Sequence, residues 1–323
     1  MSRSAVSSAL ALLLMCASSS TAQEASSQAP AQSTSQTAKP TFRSAVDLVS
    51  VAAVVRDHRG RFARGLRKED FVIEEGGLRR QILDFRADDN APVRVALLFD
   101  VSGSMRLSSH VEQARQAARH MLSALHLDRN GDEAAVFSFD MNLQSLQPFT
   151  TDAGAIETAL SRVQPYGQTS LYDAIAETAK HVADTRPGDP HRRAVIVFTD
   201  GLDTSSLMTP EQVSAIASEI DVPVYVMTVA LPSTTEDVPL KVERDSPLGS
   251  LTRWTGGDLY VTSAPAHASV AARTIVDELR HQYMLAFPAS PEKGFRRLDV
   301  KTKDRDLTVR ARSGYSGGTR AGS

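Results

Sequence analysis

The hydrophobic pattern between residues 93 and 280 alternates between short apolar runs and longer amphipathic segments. Val93–Phe99 (VRVALLF) and Ala194–Phe198 (AVIVF) are almost continuous apolar runs, as in strands that are buried on both faces of a sheet. Between such runs, the apolar positions of His110–Leu125 and Leu171–Val182 recur at helical spacing. This alternation predicts an α/β fold with a doubly wound, mostly parallel sheet that has helices on both faces.

The segments on either side of this block have the shorter period of β-strands. Val46–Val55 is rich in β-branched residues, and Phe71–Glu74 and Leu78–Phe85 are joined by a glycine-containing turn that indicates a hairpin. Beyond the block, apolar and polar residues alternate over further stretches between residues 283 and 311. Because neither flank alone has enough strands to cover a core, we predict that the two flanks pair into one β-sandwich into which the α/β block is inserted. The alternative is two separate appendages on the α/β block.

The first 42 residues predict export followed by a flexible linker. Residues 1–22 have the form of a secretory signal peptide, in which Arg3 supplies the positive charge and Ala9–Cys16 the apolar segment. Anchoring as a lipoprotein through Cys16 is the less favoured alternative. Residues 23–42 are rich in Ser, Gln, Ala and Thr and predict a disordered linker. We therefore expect the protein in the periplasm, at the cell surface or in the medium.

Composition and charge exclude several classes of protein. The 323 residues include 36 Lys and Arg against 38 Asp and Glu, and 41% of them are hydrophobic. These proportions are typical of soluble globular proteins, and they argue against a nucleic-acid-binding protein, which needs a basic surface. No segment after the signal peptide is long and apolar enough to predict a membrane span. Residues 93–280 have a net charge of −9 and residues 281–323 a net charge of +5.

Oxygen-bearing side chains follow the predicted strands. The segment D-V-S-G-S, with Asp100, Ser102 and Ser104, comes directly after the first buried strand. Thr169 lies in a loop before a helix, and Asp200 follows the strand that ends at residue 198. Because ligands of open α/β sheets bind at the carboxyl ends of the strands, we expect these side chains to meet there. Two carboxylates and three hydroxyls suit Mg²⁺ or Mn²⁺ and leave a coordination position for a partner's carboxylate.

These motifs resemble the von Willebrand factor type A (VWFA) domain and its metal-ion-dependent adhesion site (MIDAS). The family's pattern of D-x-S-x-S, then Thr, then Asp is complete and in order here, at Asp100, Ser102, Ser104, Thr169 and Asp200. The resemblance implies that the three hydroxyls contact the ion directly, whereas the two carboxylates act largely through water. It also implies that the contact of Thr169 depends on whether the domain is open or closed.

The flanks resemble the bacterial VWFA-related domain proteins that were first grouped from acidobacterial genomes. In those proteins a segment like Val54–Phe71 (VVRDHRGRFARGLRKEDF) precedes the domain, and one like Val309–Tyr315 (VRARSGY) ends it. Asp200–Ser206 (DGLDTSS) is also similar to that group's extended motif. The match covers roughly residues 43–316 and bears on the architecture rather than on an activity.

Other motifs have less specific interpretations. Asp203 either belongs to the second shell of the metal site or only caps a turn. Asp128–Asp132 (DRNGD) resembles part of a calcium loop, but without the later Glu it is interpreted as a helix-to-strand turn. The sequence has no H-E-x-x-H, no G-x-S-x-G around Ser102 and no phosphate-binding glycine loop. With no nucleophile–base pair to assemble, we predict that the protein is not an enzyme.

These observations predict a secreted, adhesion-type binding module. A divalent cation would accept an Asp or Glu side chain from a partner protein, whose identity the sequence leaves open together with the oligomeric state. The alternative is a structural or scaffold component of a cell-envelope assembly, in which the metal stabilises the strand ends. In this scheme the chain divides into a signal peptide (1–22), a linker (23–42), β-sandwich flanks (43–92 and 281–316), a VWFA domain (93–280) and a disordered tail (317–323).

Overall fold

The computed structural model describes residues 48–165, 167–183, 189–219, 221–229, 246–262 and 264–318. The predicted signal peptide, Cys16 and the predicted linker lie outside the described residues, as does most of the predicted tail. Among the residues that the structure describes, no helix is long and apolar enough to cross a membrane.

Within these ranges the chain forms fourteen strands and six α-helices. The strands are β1 (Leu48–Asp57), β2 (Phe71–Glu75), β3 (Leu78–Arg80), β4 (Asp84–Ala87), β5 (Val93–Asp100), β6 (Glu133–Phe139), β7 (Leu143–Thr150), β8 (Arg192–Thr199), β9 (Val224–Val229), β10 (Leu259–Thr262), β11 (Tyr283–Pro288), β12 (Gly294–Thr302), β13 (Leu307–Ala311) and β14 (Gly314–Gly317). The helices are α1 (His110–Ala124), α2 (Ala153–Ser161), α3 (Leu171–Ala183), α4 (Pro210–Glu219), α5 (Pro247–Thr255) and α6 (Pro265–Arg280).

The central sheet has six strands in the order β10-β9-β8-β5-β6-β7. All neighbouring pairs are parallel except β6 and β7, which are antiparallel. Alternate residues of β5 pack on opposite faces: Leu97 and Phe99 contact the core under α1, α2 and α6, whereas Ala96 and Leu98 contact the core under α3, α4 and α5. The prediction of a doubly wound, mostly parallel α/β sheet is therefore confirmed.

The two flanks form a pair of four-stranded sheets, in the orders β13-β1-β11-β4 and β14-β12-β2-β3. β1, from the first flank, pairs with β11 and β13 from the second, and β2 pairs with β12. Between the sheets lies a separate apolar core that includes Val51, Ile73, Leu285 and Phe287. The flanks thus form the sandwich that the strand pattern predicts, while the domain boundaries given above stay predictions.

One detail of the flanks differs from the prediction. Leu78–Phe85 is not one hairpin strand, because β3 pairs with β2 in one sheet and β4 pairs with β11 in the other. The chain crosses between the sheets around Ile82, whose buried side chain joins the sandwich core. In β14, Gly317 pairs with Gly294 of β12, and the boundary of the tail stays a prediction.

The two connections between the sandwich and the α/β part lie side by side. The carbonyl of Pro92, on the way in, accepts a hydrogen bond from the backbone N–H of Arg192 (2.8 Å). The guanidinium of the same Arg192 donates to the carbonyl of Gln282, on the way out (3.4 Å). The chain therefore enters and leaves the α/β part at one place, as an inserted domain requires.

Ion pairs join arginines of both flanks to the acidic α/β block. Glu278 of α6, which is buried, accepts hydrogen bonds from Arg56 of β1 (2.9 Å) and from Arg310 of β13. Arg310 also lies 3.4 Å from a carboxylate oxygen of Asp258. Part of the uneven charge along the sequence is thus neutralised within the molecule, by ion pairs between the sandwich and the α/β part.

Replacing Tyr315 with Phe should lower the free energy of unfolding by about 1–3 kcal/mol, because the buried hydroxyl bonds a charged group. The hydroxyl donates to Glu75 Oε1 (2.8 Å) and accepts from the backbone N–H of Ser290 (2.9 Å). Urea denaturation would measure the change. Tyr172→Phe is the matched control, since no hydrogen bond to its hydroxyl is found among the described residues, and it should have a smaller effect. Equal losses in both variants would contradict this account.

Candidate metal site

Asp100 lies at the carboxyl end of β5, between the neighbouring strands β6 and β8. Its side chain is completely buried, and both carboxylate oxygens accept hydrogen bonds. Oδ1 accepts from the backbone N–H of Ser102 (2.9 Å), and Oδ2 accepts from the hydroxyl of Thr199 (2.6 Å), the last residue of β8. The carboxylate is therefore fixed in one orientation at the centre of the sheet's edge.

Burial raises the pKa of Asp100 to about 6, although the hydrogen bonds from Thr199 and Ser102 lower it. The negative charge of Asp200 raises this pKa as well, so the two carboxylates are close enough to repel each other. Neither of them forms an ion pair with any described residue. At neutral pH the site therefore concentrates negative charge without a counter-charge from the described chain, and a divalent cation would supply it.

Two serine hydroxyls meet beside Asp100. The oxygens of Ser102 and Ser104 are 2.9 Å apart. Two adjacent oxygen ligands of an octahedral Mg²⁺ ion, each at its usual bond length, are separated by about 3 Å. The spacing of these hydroxyls therefore fits two neighbouring positions of such an ion.

Thr169 lies in a loop that is docked against the D-V-S-G-S segment. The N–H of Gly103 donates to the carbonyl of Gly167 (2.9 Å), which brings the two loops into contact. Gly167 has a φ of +109°, and a Cβ there would lie 3.1 Å from the Cβ of Asp140, so the tight approach depends on glycine. Thr169 is only 2% exposed as a residue, and no hydrogen bond of its hydroxyl is found in the described part of the chain. A hydroxyl that is not engaged in a hydrogen bond is available as a ligand to an ion.

Asp200 comes directly after β8, on the other side of Asp100. One of its carboxylate oxygens accepts from the N–H of Leu202 (3.2 Å), and the other has no partner within the described ranges. The N–H of Gly201 donates to the hydroxyl oxygen of Thr199 (2.9 Å), which itself donates to Asp100. This chain of hydrogen bonds couples the positions of the two carboxylates.

Asp203 caps the helix that follows Thr169. Its Oδ1 accepts from the N–H of Leu171 (2.9 Å), the first residue of α3, and from the hydroxyl of Ser206 (2.7 Å). The N–H groups of residues 204 and 205 donate to the carbonyl of Thr169 (3.1 and 2.9 Å). The loop after Asp200 and the loop that holds Thr169 are thus bonded into one unit. Asp203 thus caps the start of α3, and its place beside the metal site stays a prediction.

The sequence-predicted residues lie at one edge of the sheet: Asp100 is the last residue of β5, and the others lie in the segments that follow β5 and β8 and in the loop before α3. The residue that the motif analysis missed is Thr199, whose buried hydroxyl holds Asp100. The available signal was a hydroxyl at the end of the otherwise apolar run that precedes Asp200. Among the described residues there is no group of three or more His, Cys, Asp or Glu side chains that could hold a metal ion. Any ion here would therefore depend on the hydroxyls as well as the carboxylates.

One segment of the chain is similar to known proteins. The family model of the von Willebrand factor type A domain matches residues 95–203. The thrombospondin-related anonymous protein of Plasmodium falciparum is 31% identical over 124 residues, which is 36% of this chain and 22% of that protein. The chain thus spans about a fifth of the length of this curated relative.

Solved structures with a similar fold include two with a TM-score of 0.48. The von Willebrand factor type A protein of Catenulispora acidiphila is 15% identical, over 85% of this chain and 75% of its own. Proximal thread matrix protein 1 from the mussel byssus, whose structure has a zinc-occupied MIDAS motif, is 19% identical over 64% of this chain and 49% of its own.

Proposed function

Because this chain contains a von Willebrand factor type A domain, we propose that it is an exported, non-enzymatic module that binds a partner protein through a divalent cation. Domains of this family are commonly metal-dependent protein-interaction modules. The proposal of export rests on the signal-peptide pattern of residues 1–22. The proposal of metal-dependent binding rests on the site at the edge of the central sheet.

One observation supports this proposal: Asp100 and Asp200, which have no counter-charge among the described residues, lie beside hydroxyl groups at the edge of the sheet. In our proposal Ser102, Ser104 and Thr169 hold Mg²⁺ or Mn²⁺ directly, and Asp100 and Asp200 hold it through water. When bound, the ion supplies an electrophilic centre with a free coordination position, which takes an Asp or Glu carboxylate of the partner. Hydroxyl ligands carry no charge, so the ion keeps its attraction for that carboxylate.

A second candidate function is structural, as a scaffold in a cell-envelope assembly. The observation that favours it is the chain of hydrogen bonds from Gly201 through Thr199 to Asp100, which ties the ends of β5 and β8 together. An ion bound there would strengthen the same tie. The two functions differ in one testable respect, since only the first requires that a partner binds at the ion.

Metal binding is tested first, by thermal unfolding of the protein after removal of metal with a chelator. Titration with Mg²⁺ or Mn²⁺ should raise the melting temperature by several degrees, because a ligand at 100 times its dissociation constant stabilises by about 2.7 kcal/mol. Thr169→Val, which removes the unpartnered hydroxyl, should weaken this response. If no divalent cation at millimolar concentration changes the melting temperature, the metal site is wrong.

Partner binding is tested next, by selection from a random peptide library displayed on phage. We expect peptides with Asp or Glu to be enriched when the immobilised protein is in Mg²⁺, and to be released by a chelator. A protein that is stabilised by Mg²⁺ but enriches no acidic peptide would support the structural function instead. Enrichment that persists with chelator would contradict capture through the ion.

A further inference from the structure

Three large apolar side chains are exposed in the loops around the candidate metal site. They are Met141 (58% exposed), Leu202 (57%) and Leu207 (93%), and we call them the apolar rim. The other exposed large hydrophobic residues among those described are spread over the strands of the sandwich, the connection between β3 and β4, the outer strand β10 and helix α6. Single exposed apolar residues are ordinary on a protein surface, whereas several around one site indicate contact with a partner.

Each residue of the apolar rim belongs to a loop that is bonded to the site. Met141 follows Asp140, whose carbonyl accepts a hydrogen bond from the N–H of Ser170 (2.8 Å), next to Thr169. The N–H of Leu202 donates to Asp200 itself (3.2 Å). The rim therefore comes from two segments that are bonded to the site, the β6–β7 turn and the loop after β8.

The loop that carries Leu202 and Leu207 is held with these side chains outward. The N–H of Leu207 donates to Asp173 Oδ2 (2.9 Å), and the N–H of Met208 donates to Oδ1 of the same carboxylate (2.8 Å). Asp203 and Ser206 fasten the middle of the loop to the start of α3. A loop fixed in this way keeps Leu207 in water, and it loses little conformational entropy when a partner covers it.

We propose, on the basis of the proposed function, that the partner presents its acidic side chain within an apolar segment. The carboxylate would go to the ion, and large apolar residues beside it in the partner would cover Leu202, Leu207 and Met141. The two contributions differ in kind, since the ion selects the negative charge and the rim selects its apolar neighbours. An acidic segment with only polar neighbours would satisfy the ion and leave the rim in water.

The test uses the peptides that are selected in Mg²⁺. We expect Leu, Ile, Phe or Met within a few positions of the acidic residue, and replacing these neighbours with Ser should weaken binding about tenfold. In the protein, Leu202→Ser with Leu207→Ser should remove the preference and leave the stabilisation by Mg²⁺ unchanged. Leu78→Ser, at an exposed position of the sandwich (73%), is the matched control and should change neither.

The outcomes separate this inference from the proposed function. Acidic peptides with polar or basic neighbours, enriched in Mg²⁺, would overturn the inference and leave the proposed function standing. The same holds if the Leu202 and Leu207 variants bind the selected peptides as strongly as the unchanged protein. If no acidic peptide is enriched, the proposed function fails and the inference fails with it.

Discussion

Replacing Asp100 with Asn should leave a folded protein whose stability no longer responds to Mg²⁺. Asn has nearly the same size and still accepts the hydrogen bond from Ser102, but it removes the negative charge from the site. The Thr199 hydroxyl also loses its hydrogen-bond acceptor, which lowers the free energy of unfolding by about 1 kcal/mol. The charged carboxylate is itself costly in this buried place, so we expect the metal-free variant to be about as stable as the unchanged protein. Thermal unfolding with and without Mg²⁺ measures both properties.

The pH dependence adds a second measurement. The pKa of Asp100 in the folded protein, about 6, is above its ordinary value of 3.8. The folded protein therefore binds this proton more tightly than the unfolded chain does, and this group's contribution to stability falls as the pH rises from about 4 to about 6. The metal-free protein should lose stability over this interval, and Asp100→Asn should not. Asp128→Asn, at an exposed position, is the control and should keep the response to Mg²⁺.

A variant that still responds to Mg²⁺ would contradict the role given to Asp100. If Asp100→Asn fails to fold, a variant of one of the proposed hydroxyl ligands provides the test instead. In that case Ser104→Ala, which removes one half-exposed hydroxyl, should weaken the response to Mg²⁺ without loss of the fold. An unchanged response in that variant as well would place the ion elsewhere.

Replacing Arg280 with Met should destabilise the protein by about 3–5 kcal/mol, because it leaves a buried carboxylate unpaired. The carboxylate is that of Asp132, which is fully buried and forms an ion pair with Arg280. It also accepts hydrogen bonds from the N–H groups of Val93 (2.9 Å) and His126 (2.7 Å). One side chain therefore holds the start of β5, the end of α1 and the end of α6 together. This agrees with the interpretation of residues 128–132 as a turn.

Urea denaturation would measure this loss, with Arg273→Met as the control. Arg273 is exposed on the same helix, and its replacement should change the unfolding free energy by less than about 0.5 kcal/mol. The double variant Asp132→Asn with Arg280→Met should be more stable than Arg280→Met alone, since it has no unpaired charge. If the double variant is no more stable than Arg280→Met, lost packing of Arg280 is the cause rather than the unpaired carboxylate.

The stability that Asp132 contributes depends on pH in the opposite direction from that of Asp100. Burial raises the pKa of Asp132, but the hydrogen bonds from Arg280, His126 and Val93 together lower it below its ordinary value. Its contribution to stability is therefore complete above about pH 4 and is lost as the pH falls through the lowered pKa. Acid unfolding of Asp132→Asn should lack this component.

Within the central sheet, the strands with the clearest signal in the sequence are those that are buried on both faces. β5 and β8 appear in the sequence as apolar runs, because helices cover both faces of the central sheet. β7 has no such run, since this antiparallel edge strand is nowhere fully buried. The crossing of the chain between sheets at Ile82 also left no signal, because a buried residue in a connection looks like one in a strand.

The five residues of the candidate site could also be predicted from the sequence. Three of its residues lie within five positions of one another, and the other two follow from the rule that parallel strands end at one edge. The partners that orient them were harder to find, because a hydrogen bond such as that of Thr199 to Asp100 joins residues 99 positions apart. No local pattern records such a pairing, which arises only when β5 and β8 lie next to each other.

The insertion of the α/β part between two strands of the sandwich decides how the molecule responds to tension. A pull applied between residue 48, where β1 begins, and residue 318, after β14, loads the two sheets of the sandwich, in which strands from both flanks are paired. The backbone joins the α/β part to the sandwich at two neighbouring points, beside Pro92 and Gln282, so almost no extension is transmitted along the α/β backbone while the sandwich is intact. We therefore expect the proposed metal site to keep its shape under a load on the chain ends until the sandwich yields.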